Sequence, residues 1–477
     1  MKLLDLIKNI AYIDSKGDLE IEITSLTQDA TKQNIGALLF CYKGVKFDTH
    51  DYASTFASLG FCALIVEKFV DSPLPQILVK NTRNIMPKVC EVFFGKPSKK
   101  LKFIGVTGTN GKTTTTNLIY HFLTFSGKKC ALIGTNGTKY LDTFLPSRLT
   151  TPDTVDLFYM LDTFVKSGVE YVVMEVSAHA LDLKKLKGIH FDVAIFSNLT
   201  QDHLDYFGNM GNYAKCKLKF FQKSYSKYAI INTDDKYGRL FSKLLTIPFT
   251  TYGIKDVADN FAIDINYSLS GTSFVANIYD NVFDLKVPLL CEFNVYNILS
   301  SMLCAKYLGI ENDVLYKAVL CAPKVDGRMN VYPLKNSSIA VIDYAHTPDG
   351  LENVLKGLFL LPRKRIITIF GCGGDRDRLK RPKMGQVASL YSDYIILTSD
   401  NPRTESPNAI ISNILDGVKT KNYQVIVDRK SAIDYAYSIS GPSDIILIAG
   451  KGAEDYIEIN GQRKIYSDYE SILPYIK

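Results

Sequence analysis

A glycine-rich segment between an apolar run and a helical pattern constrains the fold of this chain most strongly. The segment is Gly105-Val-Thr-Gly-Thr-Asn-Gly-Lys-Thr-Thr114, at the end of the apolar run 101–106, and a helical pattern follows over 115–125. Such turns hold phosphate in α/β proteins, because small residues let backbone N–H groups point inward and the helix N-terminus adds positive charge. The segment therefore predicts an α/β domain with a phosphate-binding loop.

The spacing within this loop differs from that of the common phosphate loop. The common pattern needs glycine five residues before the Gly-Lys pair, where this chain has Val106, so the loop is the shorter Gly108-x-x-Gly111-Lys112-Thr113. The shorter form points away from motors and GTPases. An ordinary strand–helix turn is the alternative, but consecutive threonines at a helix start would weaken the first turn without a ligand.

Length and composition limit the class of protein. At 477 residues, a typical domain size of about 150 predicts about three domains. The net charge of +7 is spread along the chain without a dense basic block, so we expect no nucleic-acid partner. Nine scattered cysteines predict reduced, buried thiols. We find no signal-peptide pattern and no apolar run of ~18 residues, so we expect a cytoplasmic protein without membrane insertion.

Apolar runs alternate with helical patterns along most of the chain, which predicts an α/β fold with three domains. We expect a small N-terminal α/β domain over 1–98 and a central domain over 99–323 with a mostly parallel sheet of the P-loop type. A Rossmann-like, doubly wound domain should follow over 324–477. The predicted strands are 37–40, 62–66, 101–106, 131–133, 171–176, 193–197, 228–232, 339–343, 366–371, 394–399, 424–427 and 445–449.

Polar or glycine-rich segments follow the predicted strands of the two larger domains. Ligands bind at the carboxyl edge of an open α/β sheet, so we expect these segments to line a cleft. They are Glu175-Val-Ser177, Asn198, Asp343-Tyr-Ala-His346, Gly371-Cys-Gly-Gly-Asp-Arg376, Asp400-Asn-Pro-Arg403 and Gly450-Lys-Gly452.

Six motifs, taken in order, are similar to those of one known family. They are Thr107-Gly-Thr-Asn-Gly-Lys-Thr-Thr114, Glu175-Val-Ser-Ala-His179, Asn198-Leu-Thr-Gln-Asp-His203, Gly327-Arg-Met329, Asp343-Tyr-Ala-His346 and Gly371-Cys-Gly-Gly-Asp-Arg376. Over nearly its whole length the chain resembles the Mur ligases, most of all those that add meso-diaminopimelate to UDP-N-acetylmuramoyl-L-alanyl-D-glutamate for peptidoglycan. The resemblance implies an ATP-dependent amide ligase that works through an acyl phosphate.

The resemblance assigns the phosphate loop to ATP and Mg²⁺. Lys112 would neutralise phosphate charge, and Thr113 would ligate Mg²⁺ through its hydroxyl. Glu175 is either capped by local N–H groups or bound to a cation, and the resemblance favours Mg²⁺, which takes oxygen ligands. His203 lies between two aspartates, either in a helix-capping cluster or, by resemblance, at a second Mg²⁺. The implied ATP-binding residues are Gly108, Thr109, Asn110, Gly111, Lys112, Thr113, Thr114, Asn294, Asn297, Arg328, Asp343 and His346.

Lys217 shares a helical segment, 213–221, with other lysines. On sequence alone a solvated basic face is the preferred interpretation. The resemblance instead matches Lys217 to a position that CO₂ carbamylates, which would exchange a cation for an anion able to bind Mg²⁺. The implied catalytic set is Lys112, Glu175, His203 and Lys217.

The nucleotide residues have simpler alternatives. Asn294 and Asn297 stand at the start of an amphipathic helix, where capping is a rival role. Arg328 follows a glycine near the predicted domain boundary, from which it could reach phosphate. Asp343 and His346 lie at a strand end, where the whole Asp-Tyr-Ala-His string favours a nucleotide role.

The Asp400-Asn-Pro-Arg403 string bears on the amino acid that is added. Diaminopimelate differs from lysine by one carboxylate, which the planar, two-pronged arginine side chain recognises well. The family's diaminopimelate ligases carry this string, and its lysine ligases usually do not. The alternative is an Asn-Pro turn with an incidental arginine. The implied diaminopimelate residues are Arg376, Asp400, Asn401, Arg403, Gly450 and Glu454, whose carboxylate could pair with an ammonium group.

The region implied to bind the UDP-substrate departs from the family pattern. The family often has Gln and Arg where this chain has Leu183 and Lys185, and Asp-Ser-Arg where it has Asp29-Ala-Thr31. Lys185 keeps the charge without the two-pronged geometry, and Leu183 cannot donate a hydrogen bond, so backbone atoms would hold more of the uridine. The implied UDP-substrate residues are Leu26, Ala30, Thr150, Thr151, Ser177 and Lys185.

Other functions stay open on the sequence alone. A ligase of the same family that adds L-lysine is the first, and a ligase like folylpolyglutamate synthetase is the second. A nucleotide-binding scaffold or a P-loop motor would belong to other classes. We expect small-molecule partners and a monomer.

Overall fold

A computed structural model gives the fold of residues 1–44, 47–147 and 149–477. The chain forms two compact units. Unit 1 comprises Met1–Gly105, Lys128–Ala194 and Lys219–Tyr228, and unit 2 comprises Val106–Gly127, Ile195–Leu218 and Ala229–Lys477. The phosphate loop and the whole C-terminal region therefore lie in unit 2, whereas Glu175 lies in unit 1.

A five-stranded sheet forms the N-terminal part of unit 1. The elements are α1 (Leu3–Ile7), β1 (Asp14–Lys16), β2 (Ser25–Thr27), β3 (Ala37–Phe40), β4 (Phe61–Val66), β5 (Gln76–Leu78) and α2 (Thr82–Phe93), with 3-10 turns at Thr49–Thr55 and Pro97–Lys99. The strand order is β1-β5-β4-β3-β2, with only the β1–β5 pair antiparallel. Strands β3 and β4 are almost wholly apolar and buried, as expected for parallel strands.

The central elements alternate strands with helices, continue into three antiparallel strands and end with two helices. They are β6 (Lys102–Thr107), α3 (Lys112–Phe125), β7 (Cys130–Gly134), β8 (Gly137–Tyr140), β9 (Thr143–Leu145), α4 (Thr154–Lys166), β10 (Tyr171–Glu175), α5 (Ala178–Asp182), β11 (Val193–Phe196), α6 (Leu204–Phe207), α7 (Met210–Leu218), a 3-10 turn (Lys219–Phe221), β12 (Ala229–Asn232), α8 (Lys236–Leu244), β13 (Phe249–Gly253), β14 (Asn260–Ser268), β15 (Gly271–Ile278), β16 (Asn281–Val287), α9 (Glu292–Tyr307) and α10 (Asn312–Leu320). In unit 1, β7 is parallel to β10 and antiparallel to β8. In unit 2, β12, β13 and β14 are parallel, and β14, β15 and β16 are antiparallel.

The C-terminal sheet has helices on both faces, which confirms the predicted doubly wound fold. Its order is β17-β18-β22-β19-β20-β21, parallel except at β17. Successive side chains of a strand point to opposite faces, so Val341 packs with Leu351 on one face and Ile342 packs with Ile433 on the other. The elements are β17 (Asn330–Pro333), β18 (Ile339–Asp343), α11 (Pro348–Phe359), β19 (Ile366–Phe370), α12 (Lys380–Tyr391), β20 (Tyr394–Leu397), α13 (Pro407–Leu415), β21 (Tyr423–Val425), α14 (Arg429–Ile439), β22 (Ile445–Ala449), β23 (Tyr456–Ile459), β24 (Gln462–Ile465), α15 (Asp468–Ile472) and a 3-10 turn (Leu473–Tyr475).

All twelve predicted strands are present within a few residues, and 37–40, 339–343 and 445–449 match in both bounds. The antiparallel strands β14, β15 and β16 were not predicted. All nine cysteines are free thiols, but Cys321 is exposed and Cys62 is only partly buried, so the prediction of buried thiols is wrong for these two. In the described parts of the chain, no helix is both long and apolar enough to cross a bilayer.

Replacing Asp428 with alanine should lower the free energy of unfolding by about 1 kcal/mol. The Asp428 carboxylate caps α14 by accepting a hydrogen bond from the Ser431 N–H at 2.8 Å. Hydrogen bonds from the Ser431 backbone and side chain lower the pKa of Asp428. Because folding favours the ionised form, the capping energy is present above the unfolded pKa of about 3.9 and is lost as pH falls through the lower, folded value. Urea unfolding at pH 7 and pH 3 measures this, and an equal loss at both pH values would contradict it.

Candidate active site

The phosphate loop lies between β6 and α3, in the strand–loop–helix setting that the sequence predicts. A Cβ at Gly111 would lie 2.6 Å from Asn297 Oδ1, and one at Gly108 would lie 1.9 Å from Ser197 Oγ. Gly111 also has a φ of +86°. Both positions therefore need glycine, and the loop presents the N-terminal end of α3, where the first N–H groups have no intrahelical acceptor and suit an anion.

The threonine run forms the first turn of α3, which begins at Lys112 rather than Thr115. The Thr115 hydroxyl donates to Asn297 Oδ1 at 3.2 Å, and the Thr116 hydroxyl donates to the Thr113 carbonyl oxygen at 3.0 Å. These hydroxyls have protein partners, so the run needs no ligand at Thr115 or Thr116. Thr113 and Thr114 are the two threonines of the run nearest the loop.

Three residues fix the loop to neighbouring segments of unit 2. The Thr109 hydroxyl donates to the Thr200 carbonyl oxygen at 3.2 Å. The Asn110 side chain donates to Asp349 Oδ2, on α11, at 2.7 Å. Arg328 Nη2 donates to Thr113 Oγ1 at 2.9 Å, and its guanidinium lies over the Tyr344 ring. The structure therefore brings Arg328 to the loop, and its contact with phosphate stays a prediction.

Two lysines meet at one carbonyl oxygen of the loop. Lys112 Nζ donates to the Gly108 and Thr109 carbonyl oxygens at 3.0 and 2.8 Å. Lys217 Nζ, from α7, donates to the same Gly108 oxygen at 3.0 Å and to Thr107 Oγ1 at 3.2 Å. This arrangement places two lysine amino groups beside the loop that would hold the anion.

Lys217 is buried, with 1% of its surface exposed, whereas its neighbour Lys215 on α7 is exposed. The interpretation of Lys217 as part of a solvated basic face is therefore wrong. Burial, followed by the charge of Lys112, lowers the pKa of Lys217 well below its usual value. A buried amine of this kind is more often neutral, and a neutral amine is nucleophilic.

His203 belongs to an ion-pair cluster in unit 2. Its Nε2 lies 3.2 Å from Asp202 Oδ2, and it makes no side-chain cap to α6. Burial raises the pKa of Asp202, but the charges of His203, His346 and Lys380 outweigh burial and bring it to about 2. Asp202 is therefore an ionised carboxylate that orients these groups.

The two asparagines at the start of α9 bond to protein groups. Asn294 Nδ2 donates to the Leu290 carbonyl oxygen at 2.7 Å, and Asn297 Nδ2 donates to Asn294 Oδ1 at 2.9 Å. With the bond from Thr115, this chain of contacts connects α9 to the first turn of α3. The N-cap residue of α9 is Cys291, so neither asparagine has the rival capping role, and nucleotide contact stays a prediction.

Asp343 holds the backbone next to Arg328, the arginine that contacts the phosphate loop. Its two oxygens accept from the Met329 and Ala345 N–H groups, each at 2.8 Å. Burial raises the pKa of Asp343, although Arg328 opposes the shift. His346 Nδ1 donates to the Tyr344 carbonyl oxygen at 2.8 Å, and burial, then Lys380, lowers the pKa of His346.

Four of the six predicted diaminopimelate residues surround a lysine that the sequence analysis did not assign. Lys451 Nζ, fully buried, lies 3.1 Å from Glu454 Oε2, 3.1 Å from Asn401 Oδ1 and 3.7 Å from Asp400 Oδ1. A Cβ at Gly450 would lie 2.7 Å from Asp400 Oδ2. Within the structure Glu454 thus already has an ammonium partner. The position of Lys451 between two glycines after a strand was the signal that could have identified it.

Arg403 lies at the edge of this cluster in a left-handed conformation, with a φ of +52°. Its Nη1 donates to the Gly374 carbonyl oxygen at 2.7 Å, and its Nε lies 3.4 Å from Glu458 Oε2. Its side chain is 19% exposed, so the interpretation as an incidental exposed arginine is wrong. Arg376 is exposed and donates to the Asp375 carbonyl oxygen.

A buried ion pair joins the two loops that carry these arginines. Arg381 is fully buried and binds both carboxylate oxygens of Glu405, at 3.0 and 2.8 Å. Glu405 also accepts from the Asp375 N–H at 2.7 Å. The hydrogen bonds from Arg381 hold the pKa of Glu405 at about 2. This pair fixes the 371–376 loop against the 400–405 loop.

In unit 1, Glu175 has local donors. Its Oε1 accepts from the Thr135 N–H at 2.8 Å, and its Oε2 accepts from the Thr135 hydroxyl at 3.1 Å. Thr150 Oγ1 lies 3.1 Å from the same Thr135 hydroxyl. The Thr151 hydroxyl lies within hydrogen-bond distance of the Glu175 carbonyl oxygen and Ser177 Oγ. The Thr135 N–H and hydroxyl thus cap the Glu175 carboxylate, and a role of Glu175 in metal binding stays a prediction.

The remaining predicted UDP-substrate residues also lie in unit 1. Lys185 Nζ pairs with Asp153 at 2.6 Å. Leu26 is buried on β2, and Ala30 packs against the N-terminal core. The side chains of Leu26 and Ala30 therefore serve packing, and contact of backbone atoms with uridine stays a prediction.

Magnesium coordination would need few protein ligands here. Within residues 1–44, 47–147 and 149–477, no group of three or more His, Cys, Asp or Glu side chains is arranged to hold a metal. Mg²⁺ in nucleotide sites is bound mainly by phosphates and water with one or two protein oxygens. The Thr113 hydroxyl oxygen, beside the glycine cradle, fits that mode.

The chain matches known proteins over almost its full length. Residues 106–305 match the Mur ligase middle domain, and residues 327–452 match the Mur ligase glutamate ligase domain. A Syntrophomonas wolfei protein named UDP-N-acetylmuramoyl-L-alanyl-D-glutamate–2,6-diaminopimelate ligase is 39% identical over 98% of this chain and 97% of its own. A Bacillus cereus protein of the same name is 40% identical over 94% and 93%.

Solved structures agree in fold. One titled as the structure of a UDP-N-acetylmuramoyl-L-alanyl-D-glutamate–2,6-diaminopimelate ligase has 32% identity and a TM-score of 0.70, covering 99% of this chain and 98% of that one. A Mycobacterium tuberculosis folylpolyglutamate synthase has 15% identity and a TM-score of 0.66, covering 76% and 91%. With about 40% identity over nearly its whole length, this chain belongs to the Mur ligase family.

Proposed function

We propose that this protein is an ATP-dependent, ADP-forming ligase that adds meso-diaminopimelate to UDP-N-acetylmuramoyl-L-alanyl-D-glutamate in peptidoglycan precursor synthesis. The convergence of Lys112 and Lys217 on the Gly108 carbonyl oxygen, each at 3.0 Å, carries the proposal. Two lysines at a phosphate loop suit transfer of a phosphoryl group. The full-length similarity to enzymes of that name supports the choice of substrates.

The reaction has two steps. A carboxylate oxygen of the acceptor attacks the γ-phosphorus, the bond to the β,γ-bridging oxygen breaks, and ADP leaves. The amino group of diaminopimelate then attacks the acyl carbon, the bond to the phosphate oxygen breaks, and phosphate leaves as nitrogen loses a proton. Lys112 and Arg328 would stabilise charge on the phosphates, and Mg²⁺ would supply further positive charge. The proposed Mg²⁺ residues are Thr113, Glu175, His203 and Lys217.

Carbamylation of Lys217 is part of this proposal. The neutral amine would attack the carbon of CO₂: the N–C bond forms as one C–O π bond opens, and the nitrogen loses a proton, so that a neutral amine becomes an anionic carbamate. Complete burial and a lowered pKa favour the neutral amine. The two hydrogen bonds from Nζ, to Gly108 and Thr107, hold it in place at the loop. The carbamate oxygens would then serve as Mg²⁺ ligands.

Arg403 would recognise the distal carboxylate that distinguishes diaminopimelate from lysine. The Arg381–Glu405 pair supports this role, since it fixes the loop that carries Arg403. The other proposed contacts are Arg376, Asp400, Asn401, Gly450 and Glu454. L-Lysine remains the alternative substrate, because the Lys451 cluster also contains carboxylates that suit an ammonium group.

The nucleotide and UDP-substrate assignments complete the proposal. Asp343 and His346 would position Arg328 and the nucleotide, and Asn294 and Asn297 would support the loop from α9. The UDP-substrate would contact Leu26, Ala30, Thr150, Thr151, Ser177 and Lys185. We further propose domain boundaries near residues 98 and 323, a monomer, and a cytoplasmic location.

Phosphate release tests the function directly. The protein is incubated with ATP, Mg²⁺ and the UDP-sugar-dipeptide, with meso-diaminopimelate, L-lysine or neither. We expect release with diaminopimelate only. Release with lysine only would keep the ligase and reject Arg403 as selector. Release that needs no amino acid would indicate an ATPase, and no release under any condition would favour a folate-type ligase or a nucleotide-binding scaffold.

A further inference from the structure

A cleft in unit 1 contains an arginine that the proposed function does not use. Arg83, on α2, lines the cleft together with Gln28, Asp153, Leu183 and Lys185. Within the described residues no carboxylate lies within 4.0 Å of its guanidinium, and no side-chain hydrogen bond is recorded for it. A half-buried cation without an anionic partner, in a polar cleft, suits an anionic ligand.

The guanidinium of Arg83 is held in place. Its Cζ lies 4.2 Å from the centre of the Tyr42 ring, close enough for a cation–π interaction. The Thr49 hydroxyl and N–H both donate to the Tyr42 carbonyl oxygen, which fixes the tyrosine backbone. Because Arg83 is stacked in this way, its N–H groups are oriented in advance, and less entropy is lost when they bind a ligand.

The other charges of the cleft nearly balance. Lys185 Nζ pairs with Asp153 Oδ1 at 2.6 Å, so this pair adds no net charge and Arg83 supplies the net positive charge. Gln28 Oε1 accepts from the Val155 N–H, in the first turn of α4, at 3.4 Å. Arginine binds phosphate in a two-pronged manner, so the ligand chemistry that this cleft fits is a phosphate or diphosphate group.

We propose that Arg83 binds the diphosphate of a nucleoside diphosphate, with Tyr42 as its platform. This inference rests on the proposed function, in which the acceptor carries UDP.

Calorimetric titration with UDP and with uridine tests the assignment without ligase activity. Wild type should bind UDP more tightly than uridine. Arg83→Met should weaken UDP binding by about 10-fold, the usual size for loss of a charge-assisted hydrogen bond, and should leave uridine binding unchanged. Arg83→Lys should lose less, because it keeps the charge. Lys88→Met is the matched control, since Lys88 is exposed on the same helix.

Three results would overturn the proposal: unchanged UDP binding in Arg83→Met, equal losses for UDP and uridine, or no binding of UDP by wild type. Thermal unfolding of each variant shows whether it folds. In the ligase assay, Arg83→Met should raise KM for the UDP-sugar-dipeptide and not KM for ATP. Absence of ligation by wild type with the UDP result intact would reject the proposed function and keep Arg83 as a diphosphate-binding residue.

Discussion

Replacing Lys217 with alanine should lower the rate of ligation by about 10²–10³-fold, which is the usual cost of removing one preorganised group that stabilises transition-state charge. Lys217 Nζ lies 3.0 Å from the Gly108 carbonyl oxygen, which it shares with Lys112. If the side chain works as a carbamate, its loss removes an anion that holds Mg²⁺. We therefore expect kcat to fall while the KM for the amino acid changes little.

Rescue separates a carbamate from a structural lysine. Short carboxylic acids added to Lys217→Ala should restore part of the rate, because a carboxylate can occupy the place of the carbamate, whereas a neutral amide should not. Wild-type activity should also depend on bicarbonate. Lys215→Ala is the control, since Lys215 lies on the same helix and is exposed. Full activity of Lys217→Ala, or no rescue at all, would reject the carbamate.

Apart from the exposed edge strand β21, the strands that the sequence predicted share one physical property. Parallel strands covered by helices on both faces are continuous apolar runs, and 339–343 and 445–449 are of this kind, with nearly every residue buried. Among the antiparallel strands, β16 alternates buried with exposed residues, and β15 alternates buried with partly buried residues over most of its length. A search for apolar runs misses them, because their signal is alternation with a period of two.

The functional site likewise contains one feature that the sequence predicts, the phosphate loop, and one that it does not, the burial of Lys217. The phosphate loop was predictable because a glycine turn, a lysine and the helix start are local in the chain. The burial of Lys217 was not predictable, because Lys215 and Lys217 share α7, Lys219 follows in a 3-10 turn, and only tertiary packing turns one of the three toward β6. The family resemblance, rather than helical periodicity, distinguished the three.

Partners that are distant in the chain were the hardest to predict. Lys451 and Asp400 are far apart in the sequence and meet because β22 and the strand preceding Asp400 end at the same edge of the C-terminal sheet. The Arg381–Glu405 pair depends on a helix packing beside a loop. The motifs identified Asp400 and Glu454, whereas only the fold shows that Lys451 lies between them.

Replacing Arg403 with alanine should raise KM for diaminopimelate by about 100-fold and leave KM for ATP within about twofold, since truncating one partner of a buried charge pair costs about 2–5 kcal/mol. The Arg403 side chain is mostly buried and is oriented by Gly374 and Glu458. Arg403→Lys should recover little, because lysine cannot form the two-pronged contact with a carboxylate.

Arg463→Ala is the control, since Arg463 is an exposed arginine that stacks on Tyr456. Equal increases in KM for diaminopimelate and ATP would show that Arg403 supports the fold of the loop rather than the choice of amino acid. A variant that gains activity with L-lysine while it loses activity with diaminopimelate would identify Arg403 as the selector.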